Sequence, residues 1–143
     1  NILEFEDFFM YMTWKTPDIP TQVYVMTSKD SPPPPVIAFE DEEYLPEVED
    51  VDFSQYFILF TFMGLQSVTG PTIKVTQIWQ IDNDIFIEAF FDQGGPTYQP
   101  AWSSPCDIVK VSKENMTQFG EITFILLDQY GEERARAVYS ISQ

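Results

Sequence analysis

The chain has 143 residues and a formal net charge of −16, from 23 acidic and 7 basic side chains. Seven scattered cations on that background do not neutralise a run of phosphates or hold an anionic bilayer, which excludes nucleic acid and acidic membrane surfaces as partners. One cysteine and no histidine exclude an internal disulfide and a thiolate metal cluster, and remove the commonest general base and metal ligand.

The length is that of one domain, long enough to bury a core without staples. Thirteen Phe and seven Tyr favour strands and argue against disorder. The surplus of carboxylates favours basic partners. No stretch of about 18 apolar residues occurs, so no transmembrane segment is expected. The chain begins at Asn1 rather than Met, which reads as an expressed segment or a processed form, with any signal peptide or lipid anchor lying upstream.

Phe8 to Trp14 reads as a first strand, rich in Phe and Met. Pro17 and Pro20 break the chain, and Gln22 to Thr27 reads as a second strand. The four prolines Pro32 to Pro35 predict a stiff extended spacer. After the short apolar run Val36 to Phe39, the tract from Glu40 to Asp52 holds eight carboxylates: Glu40, Asp41, Glu42, Glu43, Glu47, Glu49, Asp50 and Asp52. Repulsion at that density predicts a surface loop or a weak helical turn.

Tyr56 to Met63 is continuously apolar, the pattern of a central strand buried on both faces. Gly64 to Pro71 reads as a loop. Thr72 to Ile81 alternates, which puts Ile73, Val75 and Trp79 on one face and Lys74, Thr76 and Gln80 on the other. Gln77 and Ile78 blur that pattern. Asp82-Asn83-Asp84 forms a turn, because Asn and Asp tolerate left-handed backbone, and Ile85 to Asp92 returns as the hairpin partner. Gln93 to Pro105 reads as a long Gly/Pro/Ser loop carrying Tyr98 and Trp102. Asp107 to Ser112 alternates again. A final hairpin joins Glu121–Gln129 to Arg134–Ser142 through Tyr130-Gly131-Glu132-Glu133, where Gly131 supplies a positive φ. The whole predicts one mostly β domain, an antiparallel sandwich or partly open barrel with short helical turns.

Few residues point to chemistry. The acidic tract lacks the Asp-x-Asp-x-Asp-Gly spacing of a calcium loop and is interrupted by Tyr44, Leu45 and Pro46, so a solvated loop is the better reading. Asp82, Asn83 and Asp84 are explained by the hairpin turn. Cys106 has no histidine to activate it and reads as a small buried hydrophobe. Gly94-Gly95-Pro96 lacks the lysine and the helix of a phosphate loop. Carboxylate chemistry on glycans is compatible with the composition, but nothing nominates a pair. The sequence assigns no catalytic residue, no metal ligand and no cofactor. Trp79, in a strand, reads as core. Trp102, in a loop, reads as the best contact residue.

Val36-Ile37 stands before an acidic stretch containing Pro46-Glu47. Val51-Asp52-Phe53-Ser54 then leads into the apolar strand ending at Gly64. A turn at Gly70, the hairpin from Ile73 to Phe91, and Ser104-Pro105 before Ile108-Val109-Lys110-Val111 follow. This order of segments, from Val36 to Lys113, resembles the C-terminal domain of the protease complex subunit PrcB family. The Asp-Phe-Ser opening and the Ser-Pro-x-x-(Ile/Val)-Val-Lys close are its most specific parts. The resemblance implies a non-catalytic, extracytoplasmic accessory subunit, secreted or lipid-anchored, that stabilises a protease. The chain departs from the family pattern at Gly70-Pro71-Thr72, where the family carries Gly-Gly-Tyr, and at Cys106, where it carries Tyr. A turn so changed implies a different partner.

The expectation is therefore a protein-binding domain that contacts its partner through the loops Gly64–Pro71 and Gln93–Ser104, with Gln66, Gly70, Pro71, Thr72, Tyr98 and Trp102 as contact residues. The alternative is a protease inhibitor that presents the same loops from an immunoglobulin-like scaffold.

Overall fold

The apolar run at Tyr56 organises the structure, because a strand without a polar face needs cover on both sides. In the computed structural model this strand is flanked by partners and belongs to the first of two packed sheets. The structure describes residues 1–13, 20–32, 50–68, 70–94 and 100–143, with the side chains of 8–13, 67–68 and 100–103 left aside. The proline run beyond Pro32, the run Val36–Phe39, the acidic tract as far as Glu49, and Tyr98 lie outside the described residues.

The strands are β1 (Phe5–Thr13), β2 (Gln22–Met26), β3 (Tyr56–Phe62), β4 (Gln66–Val68), β5 (Thr72–Ile81), β6 (Asp84–Asp92), β7 (Pro100–Ser112), β8 (Gly120–Leu127) and β9 (Glu133–Ile141). One sheet has the order β1-β7-β3-β2, with β4 continuing the line of β3 along β7. The other has the order β5-β6-β8-β9. The two face each other as a sandwich, and they do not close into a barrel. The described residues contain no helix; a single helical turn precedes β3, where Asp52 O accepts from the N–H groups of Gln55 and Tyr56, both at 3.0 Å.

The period-two alternation of the strands sorts side chains between two cores. Phe57 and Leu59 of β3, Val23 and Val25 of β2, and Val109 and Val111 of β7 meet Ile73, Ile85, Ile87 and Phe124 of the second sheet in the main core. Ile58, Phe60 and Phe62 face the other way and form a second cluster with Met26, Val51, Cys106 and Ile108. The run therefore lacks alternation because both of its faces are packed. Cys106 is a buried thiol within that second cluster, as its apolar context predicts.

Four local expectations are corrected. In β5 the register shifts between Val75 and Gln77. This bulge inserts a residue and reverses the alternation. Ile78 and Gln80 turn inward, and Trp79 lies half-buried on the outer face, stacked on Phe86 with centroids 5.5 Å apart. Second, the Gly64–Pro71 connection contains the short strand β4, paired with the start of β7. Third, β7 begins at Pro100, so Trp102 belongs to a strand and not to a loop. Fourth, β6 and β8 run parallel. The chain leaves β6, traverses the opposite sheet as β7, and re-enters beside β6 from the end where β6 began.

The N-terminal residues stitch the sandwich along one side. Leu3 N–H donates to Ile78 O at 2.9 Å, and Gln80 N–H donates to Asn1 O at 2.8 Å, on the edge of β5. From Phe5 the same segment pairs with β7 in the other sheet. Part of an otherwise open edge is thereby covered. No helix among the described residues is long and apolar enough to cross a membrane.

Candidate functional site

Strand direction brings several connections to one end of the sandwich. Gln22 of β2 pairs with Phe62 at the end of β3, Thr72 of β5 with Asp92 at the end of β6, and Glu133 of β9 with Leu127 at the end of β8. The connections that follow β6 and β8 therefore emerge together from the second sheet, and the connection between β3 and β5 joins them where Gly70 packs on Gly94. They include the two segments that the sequence marks for contact.

Close backbone packing ties these connections to each other. Gly94 has φ +90°, and a Cβ there would lie 3.1 Å from the carbonyl carbon of Gly70 and 3.2 Å from Pro71 N. Gly70 itself has φ +113°. Gly94 N–H donates to Asp92 Oδ1 at 2.9 Å. On the other flank, Thr21 Oγ1 donates to Met63 O at 2.8 Å beneath Gly64, and Gln66 Nε2 donates to Gly64 O at 3.2 Å. Gln129 brackets Phe91 of the neighbouring strand, accepting from its N–H and donating to its carbonyl, both at 3.0 Å.

The β8–β9 turn is held by several bonds to one side chain. Asp128 Oδ1 accepts from the N–H groups of Tyr130 (2.9 Å) and Glu132 (3.0 Å), and Asp128 Oδ2 meets Arg134 at 3.4 Å. Burial pushes the Asp128 carboxyl up, but these backbone and guanidinium bonds outweigh it and hold the group below the usual carboxylate value. Arg134 also lies 4.4 Å from the centre of the Phe91 ring. The result is a turn with a well-bonded backbone that presents Tyr130, a residue 81% exposed.

Of the residues expected to make contact, Gln66, Gly70, Pro71 and Thr72 lie in the one connection that abuts Gly94. Gly70 is exposed, Gln66 and Thr72 are half-buried, and Pro71 is buried. Trp102 follows in β7 beside the Gln66–Ser103 pairing, and Tyr98 lies outside the described residues. Tyr130 was legible only as part of a turn. An aromatic at the tip of a four-residue turn is the signal that marks it.

The glycine contacts predict different tolerances. Gly94→Ala should lower the unfolding free energy by about 2–3 kcal/mol, since it adds a backbone clash to the cost of positive φ. Gly131→Ala has φ +81° but nothing within 4 Å of the new Cβ, so it should lose only about 1 kcal/mol. Urea denaturation of the two variants measures the difference.

Away from this end, two polar clusters are built into the frame. The first joins β1, β5 and β7. Asp107 is fully buried on the inner face of β7, and its Oδ2 accepts the Val75 N–H at 2.8 Å, at the bulge of β5. Its Oδ1 is buried without a hydrogen-bond donor. Asp7 of β1 bonds Lys74 Nζ at 2.9 Å and faces the Asp107 carboxyl. Burial first, and the adjoining Asp7 second, push the Asp107 carboxyl up to about 7 against the opposing Val75 bond. Partial burial pushes Asp7 up as well, but bonds from Asp107 and Lys74 outweigh it and hold Asp7 below its ordinary value. Burial, then the Asp107 charge, raise the adjacent Cys106 thiol well above its usual value, which leaves it a poor nucleophile.

The second cluster closes the opposite end. Lys113 Nζ donates to Phe53 O at 2.8 Å and to Ser142 O at 2.9 Å, at the wall of an open hollow of about 530 Å³ also lined by Tyr56, Met116 and Phe119. Burial lowers the Lys113 ammonium from its usual value, partly offset by Asp52. The two carbonyls belong to the segment preceding β3 and to the chain's last residues. Lys113→Met should therefore cost about 2–3 kcal/mol through loss of two charge-assisted bonds. It should also raise amide exchange in residues 52–55 and 141–143 ahead of the rest, as exchange mass spectrometry would read.

No three His, Cys, Asp or Glu side chains among the described residues gather as a metal set. No protein family, curated protein or solved structure matches the chain.

Proposed function

We propose that the chain is a non-catalytic protein-binding module that engages its partner with the end of the sandwich formed by the connections after β3, β6 and β8. The observation that carries this reading is Tyr130: an aromatic residue 81% exposed on a turn held by Asp128 and Arg134, at the end where Gly70 and Gly94 are packed together. An aromatic carried on a turn whose backbone is already held is an economical form of a binding hot spot, because little backbone freedom remains to be lost on association. The net charge of −16 steers such a module toward basic partners.

The resemblance of residues 36–113 to the PrcB family supplies the partner class. On this reading the chain is an extracytoplasmic accessory subunit, secreted or lipid-anchored, whose partner is a protease. The protease-inhibitor alternative uses the same end of the molecule. It differs in one outcome: an inhibitor blocks a protease at stoichiometric concentration, and an accessory subunit does not.

Capture from an envelope and secreted fraction tests the proposal, with three forms of the chain as bait. The wild type and Ile81→Ser, an exposed position at the opposite end, should each retain one stoichiometric protein partner. Tyr130→Ala should weaken that binding at least tenfold. Retention by all three forms, or by none, contradicts the proposal.

A further inference from the structure

We infer that Asp7 and Asp107 share a single proton, and that this proton is a latch closing the seam between β1 and the edge of β5. Two bonds fix the geometry independently. Asp7 is held to Lys74, and Asp107 to the backbone N–H of the next residue, Val75. The two carboxyls thus reach adjacent residues of β5, from β1 and from β7, and their side chains meet each other.

With both groups ionised, Oδ1 of a fully buried Asp107 has no donor, and one ammonium must serve two carboxylates. A proton on Asp107 removes both faults. It makes the orphan oxygen a donor to the Asp7 carboxylate and leaves Lys74 to pair with Asp7 alone. Asp107 is the carrier because it is the buried member, and burial disfavours its charged form. Asp7, whose side chain is 38% exposed, is the member that stays ionised.

Among the described residues the groups around the pair are few. Lys74 faces it from β5, and the Cys106 thiol adjoins it on β7. From β3, Thr61 Oγ1 donates to the Asp107 carbonyl at 3.2 Å and does not titrate. Loss of the proton leaves two negative charges with one cation between them. The exposed member is free to turn away, and β1 is attached at this point beside its own register shift between Asp7 and Phe9. The seam is therefore expected to loosen from β1, with the rest of the sandwich intact.

Carbon-detected NMR titration of the side-chain carboxyls tests the latch, together with amide exchange corrected for intrinsic rates. The Asp107 carboxyl should titrate near neutrality in the wild type and at least one pH unit lower in Asp7→Asn. Protection of the Phe5, Glu6 and Asp7 amides should fall about tenfold between pH 6 and pH 8 in the wild type, and less than twofold in Asp107→Asn, which keeps a donor at every pH. Titration of Asp107 with the other carboxyls below pH 5, or an unchanged midpoint in Asp7→Asn, would overturn the shared proton. Equal pH dependence of β1 exchange in the wild type and Asp107→Asn would overturn the latch. Should Asp107→Asn fail to fold, the wild-type and Asp7→Asn titrations still decide whether the proton is shared.

Discussion

Phe57→Ala should reduce the free energy of unfolding by about 3–5 kcal/mol, the usual range for removing a fully buried aromatic ring. Phe57 has no exposed surface, and its ring meets Phe124 of the opposite sheet edge-on, with centroids 5.7 Å apart. Phe124 in turn meets Tyr139 at 6.0 Å. This chain of rings crosses from the middle strand of one sheet to the edge strand of the other, so the cavity left by the truncation opens between layers and cannot be closed by one side chain. The same change at Phe90, 48% exposed on the outer face of β6, should cost less than about 1 kcal/mol. A double-mutant cycle with Phe124→Ala should show a coupling of about 0.5–1.5 kcal/mol. Urea or guanidinium titration measures all of these. A loss under about 1 kcal/mol at Phe57 would mean that the sheets do not pack through these rings.

The second large effect is on pH dependence. In the folded chain the Asp107 carboxyl keeps its proton up to about pH 7, whereas in the unfolded chain it ionises near pH 4. Between those values the folded state binds more protons, so stability falls as pH rises through the window and levels off above it. Asp7 acts in the opposite sense. Its folded value is lowered, so its contribution is present above the unfolded value and is lost only as pH falls through the folded one. The two effects occupy different windows, and the Asp107 slope is the one seen between about pH 4 and pH 7. Asp107→Asn copies the protonated group and should abolish that slope, leaving the variant about 2–4 kcal/mol more stable than the wild type at pH 8. At pH 4 the two should differ by less than about 1 kcal/mol. Denaturant midpoints at both pH values check the sign, and parallel pH profiles would contradict it.

How far the sequence revealed this structure depended on whether each local pattern ran uninterrupted. β3 was legible because an unbroken apolar run has one explanation in a sandwich: Phe57 and Leu59 enter one core, and Ile58 and Phe60 the other. The β8–β9 hairpin was legible because Gly131 marks its turn and carries the positive φ expected of it. Trp79 was assigned to the wrong face because the bulge after Val75 inverts the parity of everything beyond it, and the inserted residue, Thr76, has no distinctive chemistry. Trp102 was misplaced because Pro100 and Pro105 resemble loop residues. In fact Pro100 opens β7, a position where a missing N–H is tolerated. The packing of Gly94 on Gly70 joins segments far apart in sequence, and only the fold brings them together. For Asp107 a signal existed. It shares strand parity with Val109 and Val111, so an inward carboxyl could be read from the alternation alone.

The proposed binding end is tested most directly by exchange footprinting of the chain with its captured partner, on described segments around the whole molecule. New protection is expected at residues 63–68, 70–72, 93–94 and 128–132, centred on Tyr130, with the outer face around Trp79 and Phe86 unchanged. Protection confined to that outer face, or to the hollow beside Lys113, would place the interface elsewhere and contradict it.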